Sequence, residues 1–280
     1  MEISLATCAG FCEGVERAYR IALEQVKAGQ TVFMLGNLVH NTQVIEKFKA
    51  LGVKTVNNIA EIPNNAPGIL LISAHGVPPN IYEEAKNKGL SMVDTTCAWV
   101  KKAQRIAKEL TAEGRQVIIV GDKGHVEVKG IVGWSGGTAI VIEDLKDLNN
   151  LSLSPDAKVG IIAQTTQSED HFFKLVTELK KRVKDVVVFD TICGATSKRQ
   201  NAAVKLAKQV DLMLVIGDKM SANTKRLAEL CSKTGVATHQ IQTVAELDLS
   251  WLKGKNKVGI TAGASTPDWV IKEVVAKLDI

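Results

Sequence analysis

A cysteine followed by a glycine 24 residues later occurs three times in this chain: Cys12 and Gly36 (36 − 12), Cys97 and Gly121 (121 − 97), Cys193 and Gly217 (217 − 193). Around the last two pairs the likeness extends to the residues themselves. VDTTC (93–97) and FDTIC (189–193) start 96 residues apart (189 − 93), as do VGDKG (120–124) and IGDKM (216–220) (216 − 120). Self-similarity at a fixed offset is the signature of repeated structural units. Within them, short apolar runs alternate with amphipathic stretches: TVFML (31–35), GILLIS (68–73), QVIIV (116–120), KVGIIA (158–163), VVVF (186–189), LMLVI (212–216) and KVGIT (257–261). Strand, helix, strand in this rhythm predicts a parallel α/β architecture. The stretch 13–28 carries apolar side chains at 15, 18, 19, 22, 23 and 26 and stops at Gly29, which predicts a helix. The expected fold is therefore α/β, with three related parallel subdomains in a pseudo-threefold trefoil. Their expected limits are 13–95, 96–191 and 192–280, the last completed by an N-terminal strand in 1–12.

Composition removes several function classes. Aromatic residues make up 4% of the chain, too few for a base-stacking nucleic-acid surface, and the net charge of +5 is dispersed, with KK101–102 and KKR180–182 as its densest runs. Such runs read as solvated helix faces, and a mild positive excess is compatible with an anionic small substrate. The first residues, MEISLATCAGFCEGVERA, lack the basic head and apolar run of a secretory signal, and no stretch approaches the roughly 18 apolar residues of a membrane span. A cytoplasmic chain with neither membrane nor nucleic-acid partner is expected. In a reducing compartment five widely separated cysteines read as ligands, nucleophiles or core residues rather than disulfides.

Cys231 shares a helical stripe with Leu227 and Leu230, and Cys8 stands outside the repeat, so both read as space-filling. Cys12, Cys97 and Cys193 each precede a helical stretch at an equivalent place, where the helix dipole favours thiolate. Three such thiolates leave open a zinc site, a structural role or an iron–sulfur cluster. Structural zinc uses closely spaced pairs, and CAGFC finds no second pair, so the spacing favours the cluster. A cubane on three cysteines leaves one iron uncapped.

Twenty-eight residues past the three cysteines stand His40, His125 and Ser221; thirty past stand Thr42, Glu127 and Asn223. SAHG (73–76), AQTTQS (163–168) and TAGAS (261–265) follow the later apolar runs in the same way. Loops beyond the carboxyl ends of parallel strands bind ligands, so these residues are candidates for a single site. Glu127 is the lone carboxylate at its repeat position. Desolvation and neighbouring anions would raise its pKa and suit it to general-acid work. His40, His75, His125, Ser221, Asn223 and Ser265 supply donors for a diphosphate in the absence of a Walker motif.

These residues also resemble a known family. AGFCEGVERA (9–18), GNLVHN (36–41), ISAHGV (72–77), VDTTCAWV (93–100), GDKGHVEVKGIVG (121–133), AQTTQS (163–168), DTICGATSKRQ (190–200), SANTKRL (221–227) and GITAGASTPDWV (259–270) are similar, in order, to the LytB family of 4-hydroxy-3-methylbut-2-enyl diphosphate reductases. The resemblance implies one [4Fe–4S] cluster per chain at the centre of the trefoil, held by Cys12, Cys97 and Cys193, with the fourth iron open to the substrate hydroxyl. It implies Glu127 as the proton donor, relayed through Thr165, which repeat alignment alone does not separate from Thr166. His40, His75, His125, Ser221, Ala222, Asn223 and Ser265 would grip the diphosphate. The reaction implied is a two-electron reductive dehydroxylation of an allylic diphosphate to isopentenyl and dimethylallyl diphosphate, the last step of the methylerythritol phosphate pathway. Ferredoxin or flavodoxin would supply the electrons, and the chain would act as a monomer. Two positions depart from the family pattern: Ala222 stands where a second serine is usual, leaving its backbone N–H to serve, and Ala98 where proline is common.

Serine at Cys12, Cys97 or Cys193 should each deplete bound iron, whereas Cys8→Ser and Cys231→Ser should retain it. Equal iron loss at Cys8, measured by iron and sulfide analysis, would reopen the CAGFC pair as a metal site.

Overall fold

The computed structural model describes residues 1–278, and the expected C-terminal limit at 280 lies outside the described residues. In chain order the elements are β1 (Glu2–Leu5), α1 (Glu13–Lys27), β2 (Val32–Leu35), α2 (Thr42–Ala50), β3 (Lys54–Val56), β4 (Ile69–Ile72), α3 (Pro79–Asn87), β5 (Ser91–Asp94), α4 (Ala98–Ala112) and β6 (Gln116–Val120). There follow α5 (Val126–Trp134), β7 (Ile140–Ile142), α6 (Leu145–Asn149), β8 (Lys158–Ala163), α7 (Glu169–Lys180), β9 (Asp185–Phe189) and α8 (Gly194–Ala207). The last elements are β10 (Leu212–Ile216), α9 (Ala222–Ser232), β11 (Ala237–Ile241), β12 (Lys257–Ala262) and α10 (Asp268–Leu278). All seven apolar runs form strands.

The strands make three four-stranded sheets, β3-β2-β4-β5, β7-β6-β8-β9 and β11-β10-β12-β1, in which every pairing is parallel. The order is the same in each, which makes the three α/β subdomains structural repeats. The strand that leads into a cysteine is the edge strand on the same side every time: β5 before Cys97, β9 before Cys193, β1 before Cys12. Among the described residues no strand follows β12, and the fourth place in its sheet is taken by β1, which pairs Ile3 with Val258 and Leu5 with Ile260.

Two compact units are present. One comprises Met1–Glu16, Val39–Glu46 and the residues from Gly194, with the sheet β11-β10-β12-β1; the other comprises Arg17–Leu38 and Lys47–Cys193, with the remaining two sheets.

In the second unit, Ile118 and Val120 of β6 face one way, onto Phe172, Leu175 and Leu179 of α7, while Val117 and Ile119 face Ala103, Ile106, Ala107 and Leu110 of α4. Helices on both faces explain why QVIIV is continuously apolar instead of alternating. The first unit repeats this arrangement: Leu212, Leu214 and Ile216 of β10 meet Val270 and Val274 of α10, and Met213 and Val215 meet Ala203, Leu227 and Cys231. Cys231 is core. Among the described residues no helix is long and apolar enough to cross a membrane.

Two glycines at matching strand positions make room for neighbouring side chains, one from a helix and one from the adjacent strand. A Cβ on Gly160 of β8 would stand 2.6 Å from Leu110 of α4, and one on Gly259 of β12 would stand 2.4 Å from Met213 Sδ. Overpacking a core of this kind costs roughly 1–3 kcal/mol. Gly160→Ala should lower the denaturation midpoint accordingly, and adding Leu110→Val should recover part of the loss. Full stability in Gly160→Ala alone would show that α4 can shift.

Candidate active site

Each repeat cysteine is placed by the same backbone hydrogen bond. Cys97 N–H donates to Ala74 C=O (3.0 Å), Cys193 N–H to Thr165 C=O (3.0 Å) and Cys12 N–H to Ala264 C=O (3.2 Å). The three acceptors are the second residues past β4, β8 and β12, the neighbours of the cysteine-bearing edge strands. In DTTC and DTIC the preceding residues prepare the contact. Asp94 Oδ1 accepts from Thr96 N–H (2.8 Å) and Asp190 Oδ1 from Ile192 N–H (2.9 Å), closing the turn. Thr95 Oγ1 and Thr191 Oγ1 then donate to Ile72 C=O (2.6 Å) and Ala163 C=O (2.5 Å), stapling the turn to the adjacent strand end. Cys97 is the N-cap of α4, Cys193 directly precedes α8, and Cys12 C=O accepts from Glu16 N–H in the first turn of α1.

All three cysteines are half-buried, whereas Cys8 is exposed and Cys231 buried, its thiol pushed up to about 11 by that burial. Half-buried sulfurs at helix N-termini suit thiolate ligation of an iron–sulfur group; a thiol held at about 11 does not.

In the second unit, α5 delivers Glu127 beside the loop after β8. His125 caps this helix, its Nδ1 accepting from Glu127 N–H (3.1 Å), and the His75 and His125 rings meet edge to face at 5.5 Å. Glu127 is 2% exposed. Its Oε1 accepts from Thr165 N–H (2.7 Å) and its Oε2 from Thr165 Oγ1 (2.8 Å). The geometry thus separates the two threonines: Thr166 Oγ1 instead accepts from Gln164 Nε2 (3.0 Å). Burial pushes the Glu127 carboxyl up to about 7, against the two Thr165 hydrogen bonds that favour its ionised form, with the Asp122 carboxylate adding to the rise. Thr165 holds Glu127 through its N–H and hydroxyl and Cys193 through its carbonyl.

In the first unit, Ser265 Oγ donates to His40 C=O (2.9 Å) and lies 3.4 Å from Ser221 Oγ. Ser221 caps α9, accepting from Thr224 N–H (3.3 Å), so Ala222 and Asn223 open that helix and Ala222 presents its backbone N–H in the first turn. Asn223 is 4% exposed, yet neither its Oδ1 nor its Nδ2 has a hydrogen-bond partner among the described residues. A buried amide left unsatisfied is costly and points to a missing polar ligand.

Asp218 was read in the sequence only as a repeat marker. It is 1% exposed, its Oδ2 accepting from Thr42 N–H (2.8 Å) and Thr42 Oγ1 (2.6 Å), its Oδ1 from Met220 N–H (2.8 Å). Burial alone would raise its carboxyl, but these hydrogen bonds and nearby His40 hold it below the usual range. His40 is lowered by burial and pulled back up by Asp218. Thr42 at the repeat position of Glu127 was the available signal: a hydroxyl there needs an acceptor, and Asp218 provides it.

Comparison with known proteins follows the same lines. The family profile described as "LytB protein" matches residues 3–279. The 4-hydroxy-3-methylbut-2-enyl diphosphate reductase of Clostridioides difficile (strain 630) is 44% identical over 280 residues, covering 100% of this chain and 99% of its own. That of Geobacter sp. (strain M21) is 42% identical over 278 residues, covering 99% and 97%. Among solved structures, the E-1-hydroxy-2-methyl-but-2-enyl-4-diphosphate reductase from Plasmodium falciparum aligns with a TM-score of 0.93 at 31% identity, covering 100% of this chain and 88% of that one. An (E)-4-hydroxy-3-methyl-but-2-enyl diphosphate reductase, the terminal enzyme of the non-mevalonate pathway, aligns at 0.71 and 41% identity, covering 100% and 99%.

Glu127 makes stability depend on pH in a definite direction. With its folded pKa raised to about 7 from 4.5, the folded chain keeps a proton that the unfolded chain has lost between those values. Stability therefore falls as pH rises through that window, by up to about 3 kcal/mol, and levels off above it. Denaturant titrations at pH 5 and pH 8 should show this loss in the parent chain and not in Glu127→Gln; parallel behaviour of the two would contradict it.

Proposed function

This chain belongs to the LytB family, and we propose that it reduces (E)-4-hydroxy-3-methylbut-2-enyl diphosphate to isopentenyl diphosphate and dimethylallyl diphosphate, the last step of the methylerythritol phosphate pathway. One C–O bond breaks, two electrons and two protons are consumed, and the oxygen leaves as water. The observation that carries the reading is Glu127: a fully buried carboxyl with a pKa of about 7, joined through Thr165 to the loop that positions Cys193.

Cys12, Cys97 and Cys193, each at the same place after the edge strand of one of the three sheets, would hold one [4Fe–4S] cluster; the subdomains that those sheets build are taken as 13–95, 96–191 and 192–280 with 1–12. The donor set fits, because three half-buried thiolates at helix N-termini satisfy three irons of a cubane. When bound, the cluster supplies single electrons and one iron without a protein ligand. Those electrons come from ferredoxin or flavodoxin, and the chain acts as a cytoplasmic monomer.

The protein's own part is proton delivery and substrate retention. A carboxyl of pKa about 7 is partly protonated at neutral pH. When protonated, its O–H turns the Thr165 hydroxyl into an acceptor, so that the hydroxyl can donate its own proton onward. Water is excluded by the burial that raises the pKa. The diphosphate is assigned to His40, His75, His125, Ser221, Asn223, Ser265 and the Ala222 N–H. Supporting this are the unsatisfied Asn223 amide, the N-terminal turn of α9 and the absence of a metal-binding Walker motif. Ala222 removes a hydroxyl from this set and leaves the backbone donor.

Cluster-loaded protein should convert the substrate only with a reduced one-electron donor; turnover without one would point instead to a non-redox lyase. Glu127→Gln should keep the cluster's absorption and substrate binding while losing turnover by about 10²–10⁴-fold. Because the acid works protonated, the parent's rate should fall as pH rises through about 7. Unchanged turnover in Glu127→Gln would remove Glu127 as the acid.

A further inference from the structure

A cavity in the second unit adjoins the loop that carries His75. It measures about 420 Å³ and is lined by Tyr82 of α3, Asp94 at the end of β5, Lys101, Gln104, Arg105 and Lys108 of α4, and Trp134 at the end of α5. None of these residues has a part in the proposed reaction. The volume falls within the range of small-molecule sites.

The cavity has an aromatic wall and a basic rim. The Tyr82 and Trp134 rings meet edge to face at 6.3 Å, and Lys108 Nζ stands 5.8 Å above the Trp134 ring. Lys101, Arg105 and Lys108, spaced i, i+4, i+7, share one face of α4. Lys101 pairs with Asp94 (2.7 Å), whereas Arg105 makes only an exposed i, i+4 pair with Glu109 through its Nη1 (2.7 Å), a weak surface contact readily exchanged for a phosphate. Lys108 has no carboxylate partner among the described residues. Tyr82 Oη donates to Asp94 Oδ2 (3.3 Å); the Asp94 carboxylate on the lining is offset by Lys101, which leaves Arg105 and Lys108 as the lining's excess positive charge.

The same residues form part of the support of the His75 loop. Trp134 Nε1 donates to Val77 C=O (3.0 Å), and Gly133 packs so closely on Pro78 that a Cβ would stand 2.2 Å from it. Gln104 is 4% exposed; it lines the cavity, while its Nε2 has no partner among the described residues and lies against Gly76, where an added Cβ would come within 2.5 Å. The aromatic wall of the cavity is therefore also the clasp on the loop that follows β4.

We propose that this cavity binds an organic phosphate: an aromatic or allylic body against Tyr82 and Trp134, with the phosphate oxygens on Lys108 and Arg105. Neither half of such a ligand suffices alone. A bare phosphate would forgo the aromatic wall, and a neutral apolar body would leave Lys108 unanswered over Trp134. A carboxylate carries one charge where a phosphate monoester carries nearly two, so the phosphate is the better match to two cations.

The test is anaerobic isothermal titration of the cluster-loaded chain with phenyl phosphate, inorganic phosphate and phenol, in the presence of saturating substrate without electron donor. Phenyl phosphate should bind once per chain, and the two half-ligands at least about tenfold more weakly, the change expected from losing one charge-assisted hydrogen bond or one aromatic contact. Lys108→Glu and Arg105→Glu, both exposed helix positions, should fold, keep the parent's turnover and each weaken phenyl phosphate by a similar factor. Geranyl diphosphate in place of phenyl phosphate tests the allylic class in the same way. Absence of binding beside saturating substrate, or binding indifferent to both charge reversals, overturns the proposal and leaves the assigned reaction untouched.

Discussion

The arrangement depends on one repeated backbone contact, the hydrogen bond from a cysteine N–H to the carbonyl two residues past the end of the neighbouring strand. Parallel pairing sets where each edge strand ends relative to its neighbour, and before Cys97 and Cys193 an Asp-Thr turn converts that register into a position for sulfur. Because the bond is made by main chain, it tolerates Ala74, Thr165 and Ala264 as acceptors. The side chains at these places are thereby released for other work. Only at Thr165 is that freedom used, to bind Glu127.

Symmetry in the backbone is what lets one side chain break it. At the three equivalent positions stand Thr42, Glu127 and Asn223, and each meets burial differently. Thr42 is answered by the Asp218 carboxylate, Glu127 answers Thr165, and the Asn223 amide has no partner among the described residues. A carboxyl taken out of water without a cation prefers its neutral form, so burial itself turns Glu127 into an acid that is partly protonated at neutral pH. Among the described residues no cation pairs with it: its two oxygens are held by a hydroxyl and an amide.

Close packing explains where glycine is required. Gly160 and Gly259 admit Leu110 and Met213 against the strand backbone, and Gly133 admits Pro78. The first brings α4 down onto its sheet, and the second makes room for a side chain of the neighbouring strand β10. The third draws α5, and with it Glu127 in its first turn, against the loop bearing His75. A side chain at Gly160 or Gly133 would press on α4 or α5, the helices that begin at Cys97 and next to His125.

Much of this was legible in the sequence. Equal spacing from cysteine to glycine named the three repeats, and continuous apolar runs announced strands covered on both faces. The repeat also singled out Cys12, Cys97 and Cys193 from Cys8 and Cys231, and Glu127 from its polar equivalents. Such features are local, or recur at fixed offsets, and a linear pattern carries them. Tertiary structure decided the rest. Thr165 and Thr166 are adjacent and chemically alike, and only the approach of a helix 38 residues earlier shows which hydroxyl meets Glu127. Asp218 looked like a marker until Thr42, 176 positions away, was found bonded to it. The raised carboxyl of Glu127, the unsatisfied amide of Asn223 and the aromatic cavity beside the His75 loop all arise from burial between elements distant in the chain. Spacing can say that residues hold equivalent places, but which atoms touch, and how dry they are, is settled only when the sheets and helices pack.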